Sequence, residues 1–116
     1  MDYHRMEHMR HQEIIRITSN TPPVVEIDSQ SHSAYVRFKT TKVVRTLPIQ
    51  TQGTPVTIDF DARNEVVGIE LIGVVEFSVK ALLRQAPVTM VHPEALDNPR
   101  YVPANMPVNR REPVYA

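Results

Sequence analysis

The stretch from residue 24 to about residue 72 alternates apolar and polar side chains with the two-residue period of β-strands. In SAYVRF (33–38), the apolar Ala34, Val36 and Phe38 fall on one face of the strand. The other segments with strand character are VVEID (24–28), VVRTLPIQ (43–50), VTIDF (56–60) and EVVGIELI (65–72). Pro48 cannot donate a ladder hydrogen bond, so its strand is predicted at an edge. The pattern predicts an antiparallel sheet of four or five strands.

The four residues DARN between VTIDF and EVVGIELI predict a tight β-hairpin. Asn64 tolerates the left-handed backbone that closes such a loop, and Asp61 can accept hydrogen bonds from backbone N–H groups. The acids Asp59, Asp61, Glu65 and Glu70 also suggest a calcium loop. That match fails because Arg63 stands at a ligand position and Asn64 replaces the glycine of the sharp turn. The hairpin is the simpler interpretation.

The strand EVVGIELI carries apolar residues on both of its faces, a pattern typical of a central strand covered on each side. After Gly73 the period changes from two residues to that of a helix. Ser78 is the predicted N-cap and Pro87 stops the segment, so one short helix is predicted near residues 77–86. The fold class is therefore α+β, a small sheet with one packed helix.

Three zones divide the chain by composition. Residues 1–22 are rich in His and Met and resemble a helix as far as Arg16. Residues 23–86 form the sheet-and-helix domain. Residues 87–116 hold six of the ten prolines interleaved with apolar residues, which predicts an extended tail lying on its own sheet or on another subunit.

Composition narrows the classes of function. The 116 residues suffice for one domain, and Lys+Arg and Asp+Glu are both 13, so the formal net charge is zero. Such a balance gives no electrostatic preference for nucleic acid or for an acidic membrane. Cysteine is absent, and no apolar run approaches the roughly 20 residues of a membrane span. A soluble cytoplasmic protein is expected.

Three segments, DSQSHSAYVRF (28–38), VVRT (43–46) and VTIDFDARNEVVGIELIG (56–73), resemble the domain of unknown function family 2283. The likeness covers roughly residues 24–86, and VVGIEL is its most specific part. It implies a small antiparallel sheet of three or four strands with one helix, and no assigned activity. The chain departs from the family pattern at Gln30 and His32, where acids are usual, and at Asn64, where glycine is usual.

A stripe of histidines is the one candidate metal site. His4, His8 and His11 recur at i, i+4 and i+7, so on a helix their imidazoles would share one face, as zinc and nickel sites require. The alternative is a solvated, frayed helix that happens to be rich in histidine. Met6 and Met9 in the same segment instead suit protein contacts. No resident cofactor is predicted.

An enzymatic role has candidate residues but no supporting motif. No G-x-S-x-G, phosphate-binding glycine loop or H-E-x-x-H occurs in the chain. Cross-strand ion pairs of Arg37 and Arg45 with Glu70 or Asp59 explain those charges without catalysis. The remaining candidates, without a motif, are His32, Tyr35, Asp61 and His92.

The expected function is therefore a non-catalytic module for protein interaction or oligomerisation, such as an adaptor or an antitoxin-like partner. One helix covers only one face of a sheet, so a second subunit is expected to cover the other. A homodimer or larger assembly is predicted, with residues 87–116 as a possible recognition element for a protein partner. Neither a membrane nor a nucleic acid is an expected partner. The metal-binding module is the alternative.

Overall fold

Residues 14–49 and 53–104 are described by the computed structural model, and they form eight strands, one α-helix and one 3-10 helix. The strands are β1 (Ile15–Ile17), β2 (Val24–Asp28), β3 (Ser33–Arg37), β4 (Arg45–Ile49), β5 (Val56–Phe60), β6 (Val66–Ile72), β7 (Val88–Met90) and β8 (Arg100–Pro103). The helix α1 spans Val79–Leu83 and the 3-10 helix spans Pro93–Asp97. This part of the chain is mostly β, and all five strands predicted from the alternation are present.

The main sheet has six strands in the order β4-β5-β6-β3-β2-β8. Neighbours are antiparallel from β4 to β2, whereas β8 runs parallel to β2. The predicted count of four or five strands was too low by the edge strand β8. Pro99 precedes that strand and Pro103 is its last residue. Because proline disfavours strands, the sequence pattern did not indicate a strand here. An edge strand tolerates proline because it needs hydrogen bonds on one side only.

The hydrophobic core lies against one face of this sheet. Alternate residues of β3 and β5 point into it, and the α1 residues Val79, Leu82 and Leu83 pack on the same cluster. Ile17 of β1 is buried there as well, and Val88 of β7 packs against its margin. All described covering elements therefore lie on this core face.

The apolar residues on both faces of β6 predicted a packed element on each side of the strand. Among the described residues, elements pack on the core side only. A register shift at Asp59 and Phe60 places Phe60 opposite Val66, while Asp59 stays opposite Gly68. The extra residue of this β-bulge lets the consecutive valines Val66 and Val67 both be buried. Ile72, at the end of the strand, is 45% exposed. The bulge, together with this exposed end, accounts for the apolar pattern.

Helix α1 begins where the sequence predicts. The Ser78 hydroxyl accepts a hydrogen bond from the backbone N–H of Ala81 at 3.3 Å, which is an N-cap contact. The α-helical hydrogen bonding ends by Arg84, several residues before Pro87, so the helix is shorter than the predicted 77–86. The remaining residues of that range form turns rather than a further helical turn.

The segment after Pro87 forms two short strands separated by the 3-10 helix, so residues 88–103 of the predicted extended tail pair with strands of their own chain, the first of the two predicted alternatives. Strand β7 pairs in parallel with β1, and β8 pairs with β2. The prolines fall at strand ends and in the 3-10 helix, where a missing N–H is tolerated. Within the described ranges, no helix is long and apolar enough to cross a membrane.

Candidate functional site

The second face of the main sheet carries a network of polar and charged side chains. None of the described helices or strands covers it, and its side chains are half-buried or exposed. We call it the open face and define its centre by the side chains of Glu26, Tyr35, Arg37, Thr46, Thr57, Asp59 and Glu70, with Gly68 among them. Strand alternation places these side chains on the open face, because each of them is adjacent in its strand to a residue that points into the core.

A tyrosine lies flat across β6 at the middle of the open face. The Tyr35 hydroxyl donates a hydrogen bond of 2.7 Å to Oδ2 of Asp59, two strands away. The ring passes directly over Gly68, where an added Cβ would come within 2.3 Å of a ring carbon. Glycine is therefore required at this position so that the tyrosine can reach across the strand. Asp59 also accepts a 2.6 Å hydrogen bond from the Thr46 hydroxyl.

Burial raises the pKa of Tyr35 above its ordinary value, and the hydrogen bond to Asp59 raises that pKa further. The phenol thus stays neutral in the fold at a pH where the unfolded chain would ionise it. With a folded pKa above the unfolded value of about 10, its contribution to stability is complete below pH 10 and declines at higher pH.

We expect Tyr35→Phe to lower the free energy of unfolding by about 0.5–1.5 kcal/mol at neutral pH, because the hydroxyl loses its hydrogen bond. The difference from the wild type should shrink as pH rises from about 10, since only the wild type carries this titration. Urea denaturation between pH 7 and 11 measures both effects. A difference that stays constant over that range would contradict the assignment.

A charged pair continues the network towards the sheet edge. Nε of Arg37 donates to Glu26 at 3.0 Å, and its guanidinium carbon lies 4.9 Å from the centre of the Tyr35 ring. The predicted pairing of Arg37 and Arg45 with Glu70 or Asp59 was wrong. The guanidinium of Arg45 lies 4.1 Å from the centre of the Phe60 ring, and its Nη2 donates to Asn64. The order of the strands in the sheet determines the partners of both arginines, and the local sequence pattern does not reveal that order.

The β5–β6 hairpin has the predicted chemistry. Asn64 has a φ of 65°, the left-handed conformation, and Asp61 Oδ1 accepts from the backbone N–H groups of Arg63 and Glu65 at 2.9 and 3.0 Å. Oδ2 of Asp61 accepts from Lys39 and Thr41 at 3.0 and 2.9 Å. These backbone and side-chain donors hold the pKa of Asp61 well below its usual range. Both carboxylate oxygens of Asp61 thus have structural partners.

A shallow groove of about 340 Å³ lies beside this hairpin. One wall is the polar loop of residues 18–21, and the other is formed by Phe38, Lys39, Glu65 and Val66. The Lys39 ammonium contacts the carboxylates of Asp61 and Glu65, so its charge is neutralised within the protein. The groove is thus lined by the polar residues 18–21 on one side and by this ion-paired lysine on the other.

The residues predicted to bind metal, His4, His8 and His11, lie outside the described residues, and the metal-site hypothesis stays a prediction. Two other histidines were enzyme candidates. His32 occupies the β2–β3 turn with a φ of 54°, and its carbonyl accepts from the N–H groups of Gly73 and Val74. His92 lies near Glu94 at 3.5 Å beside the 3-10 helix. In the described ranges, no three His, Asp or Glu side chains are grouped to hold a metal ion.

Two paired contacts occupy the centre of the open face. Tyr35 donates a hydrogen bond to Asp59, and Arg37 is paired with Glu26. The Tyr35–Asp59 contact could not be found from sequence alone, although Gly68 within a strand was a signal of close approach.

The family model of DUF2283, described as a protein of unknown function, matches residues 25–74. This confirms the resemblance seen in the sequence. The matched segment runs from β2 to just beyond β6 and includes Tyr35, Asp59 and Gly68, whereas α1 and β8 follow it. No curated protein and no solved structure matches the chain.

Proposed function

We propose that this DUF2283-type sheet is a non-catalytic interaction module that pairs with a second copy of itself through the open face. The observation that carries the proposal is the one-sided cover of the sheet. Helix α1 and strands β1 and β7 lie over the core face, while the other face holds a self-contained polar network.

The polar groups of the open face that are paired with one another make its burial by a partner less costly. A lone charge or donor costs free energy when another protein removes it from water, and a group that already has its partner costs less. On the open face, Glu26 neutralises Arg37, and Asp59 accepts from both Tyr35 and Thr46. A covering surface can therefore exclude water without stranding these groups.

The apolar residues of the open face lie at its margins. Val24 and Val102 flank Glu26, on β2 and β8, and Ile72 ends β6. Val24 and Val102 are half-buried, and 45% of Ile72 remains exposed in the single chain. An apolar margin around a polar centre adds favourable area on association without requiring new polar partners.

The size of the face is sufficient for a weak dimer. Six strands spaced about 4.8 Å apart, each about five residues of 3.3 Å, give a face of roughly 29 by 17 Å. Two such faces bury on the order of 1,000 Å², the lower limit of specific interfaces. We therefore place the dissociation constant in the micromolar range, about 1–100 µM, as for transient contacts.

A charge inserted at the centre of the face tests the proposal. Thr57 lies between Pro48 and Glu70 in the sheet and is half-buried, so a glutamate there adds a second carboxylate beside Glu70, and a symmetric dimer would have to desolvate both. We expect Thr57→Glu to weaken self-association at least about tenfold in sedimentation velocity, as a buried unpaired charge does.

Ala62→Glu is the matched control, because it adds the same charge at an exposed hairpin position away from the face. It should associate as the wild type does. A wild type that remains monomeric well above about 100 µM would refute the open-face dimer, since that concentration is the upper end of the predicted dissociation constants. Equal association of the two glutamate variants would place the contact elsewhere on the protein.

A further inference from the structure

Strand β8 differs from every other strand of the main sheet. It is the one parallel neighbour in the six-stranded order, and it occupies the outer edge of β2. The family match ends at residue 74, so β8 lies outside the matched segment. A β2 edge without it would expose unpaired backbone groups, which is a template for strand addition.

Little apolar burial holds β8 in place. Arg100, Tyr101 and Pro103 are exposed, and Val102 is only half-buried. The 3-10 helix before it is better anchored, with Ala95 and Leu96 buried. Elements with few buried contacts open at low free energy while the rest of the fold persists. β8 is thus more easily released from the sheet than the central strands β3, β5 and β6, which carry buried residues.

The β2 edge provides complete recognition for this segment. The N–H of Arg100 donates to the carbonyl of Pro23 at 3.0 Å, and the N–H of Ala104 donates to the carbonyl of Ile27. The Tyr101 hydroxyl accepts from the backbone N–H of Val79 at 3.0 Å, satisfying a free donor at the start of α1. Backbone pairing gives affinity and the tyrosine gives specificity.

We propose that β8 exchanges between copies, so that residues 100–103 of one chain fill the β2 edge of another. Two residues, Asn98 and Pro99, join the 3-10 helix to β8. A short linker containing proline has few ways to fold back, and short hinges favour domain swapping. The contacts made in trans are the contacts made in cis, so exchange loses no interaction. It uses the sheet edge and is independent of the open-face dimer.

The absence of cysteine from the chain permits a direct test with single-cysteine variants of the full protein. Ile27 and Pro103 are register partners in the β2–β8 pair and lie on the core side of the sheet, away from the open face. Neighbouring strands hold such partners within the Cα distance that a disulfide spans. A mixture of Ile27→Cys and Pro103→Cys chains, incubated at high concentration and then treated with a mild oxidant, should form a mixed disulfide dimer.

Thr57→Cys mixed with Pro103→Cys is the control, since Thr57 lies on the open face and three strands from β2. We expect the Ile27 mixture to give at least about tenfold more mixed dimer, because disulfide formation requires close register. Equal yields would overturn strand exchange, even if the open-face dimer exists. A chain carrying both Ile27→Cys and Pro103→Cys should close internally when dilute; failure to close would overturn the β2–β8 register itself.

Discussion

Gly68→Ala should lower the free energy of unfolding by about 1–3 kcal/mol, through overpacking and the loss of one hydrogen bond. The new methyl group would lie 2.3–2.4 Å from three atoms of the Tyr35 side chain. Those atoms are at the far end of the side chain, so Tyr35 would swing away and the backbone would stay. The swing breaks the contact with Asp59 and exposes the ring. Chemical denaturation of the variant measures the loss.

A double-mutant cycle separates this explanation from an effect of glycine on the strand itself. In a Tyr35→Ala background, the three atoms nearest to the methyl group are removed, and alanine is favoured over glycine in a strand by about 0.5–1 kcal/mol. The sign of the Gly68→Ala effect should therefore reverse. Gly53→Ala is the control, because a Cβ there meets no atom within 4 Å. Destabilisation of similar size in both backgrounds would show that Tyr35 is not the cause.

Local features of the fold were predictable because their causes are local. Alternation located β2 to β6, and Pro48 placed β4 at an edge. The left-handed Asn64 and the N-cap Ser78 were both identified from residue type and position alone. Each depends on interactions within a few residues, which a single sequence displays.

Features that depend on strand order were not predictable. The Tyr35–Asp59 hydrogen bond needs β3 and β5 on opposite sides of β6, and 24 residues separate the two side chains in sequence. The partner of Arg37 likewise follows from the neighbour of β3 rather than from charge spacing. The one indication in the sequence was Gly68, the one glycine inside a strand, because glycine in a strand marks a close approach by another group.

The β5–β6 hairpin shows how a local motif becomes a tertiary contact. The carboxylate of Asp61 is only 5% exposed, although it lies in a surface turn. One oxygen holds the turn through two backbone N–H groups, and the other joins the chain after β3 through Lys39 and Thr41. The same side chain therefore fixes the hairpin and attaches it to the neighbouring segment.

Asp61→Asn should lower the melting temperature at pH 7 by roughly 5–10 °C, the scale for breaking a buried hydrogen-bond network in a domain of this size. An amide keeps the shape of the carboxylate but loses one acceptor oxygen and the charge that attracts Lys39. Thermal unfolding followed by circular dichroism measures the shift. Asp97→Asn, which removes an exposed carboxylate 3.6 Å from Lys80, is the control and should change little.

The pH dependence distinguishes the charge of Asp61 from its shape. The folded pKa of this group is lowered, so its stabilising contribution is present above the unfolded value of about 3.9 and is lost as pH falls below it. The wild type should therefore approach the Asp61→Asn variant in melting temperature between pH 4 and about 2. If the gap between the two proteins stayed constant to acid pH, the amide would be harmful for its geometry. The ionised carboxylate would then not be what holds the hairpin to the sheet.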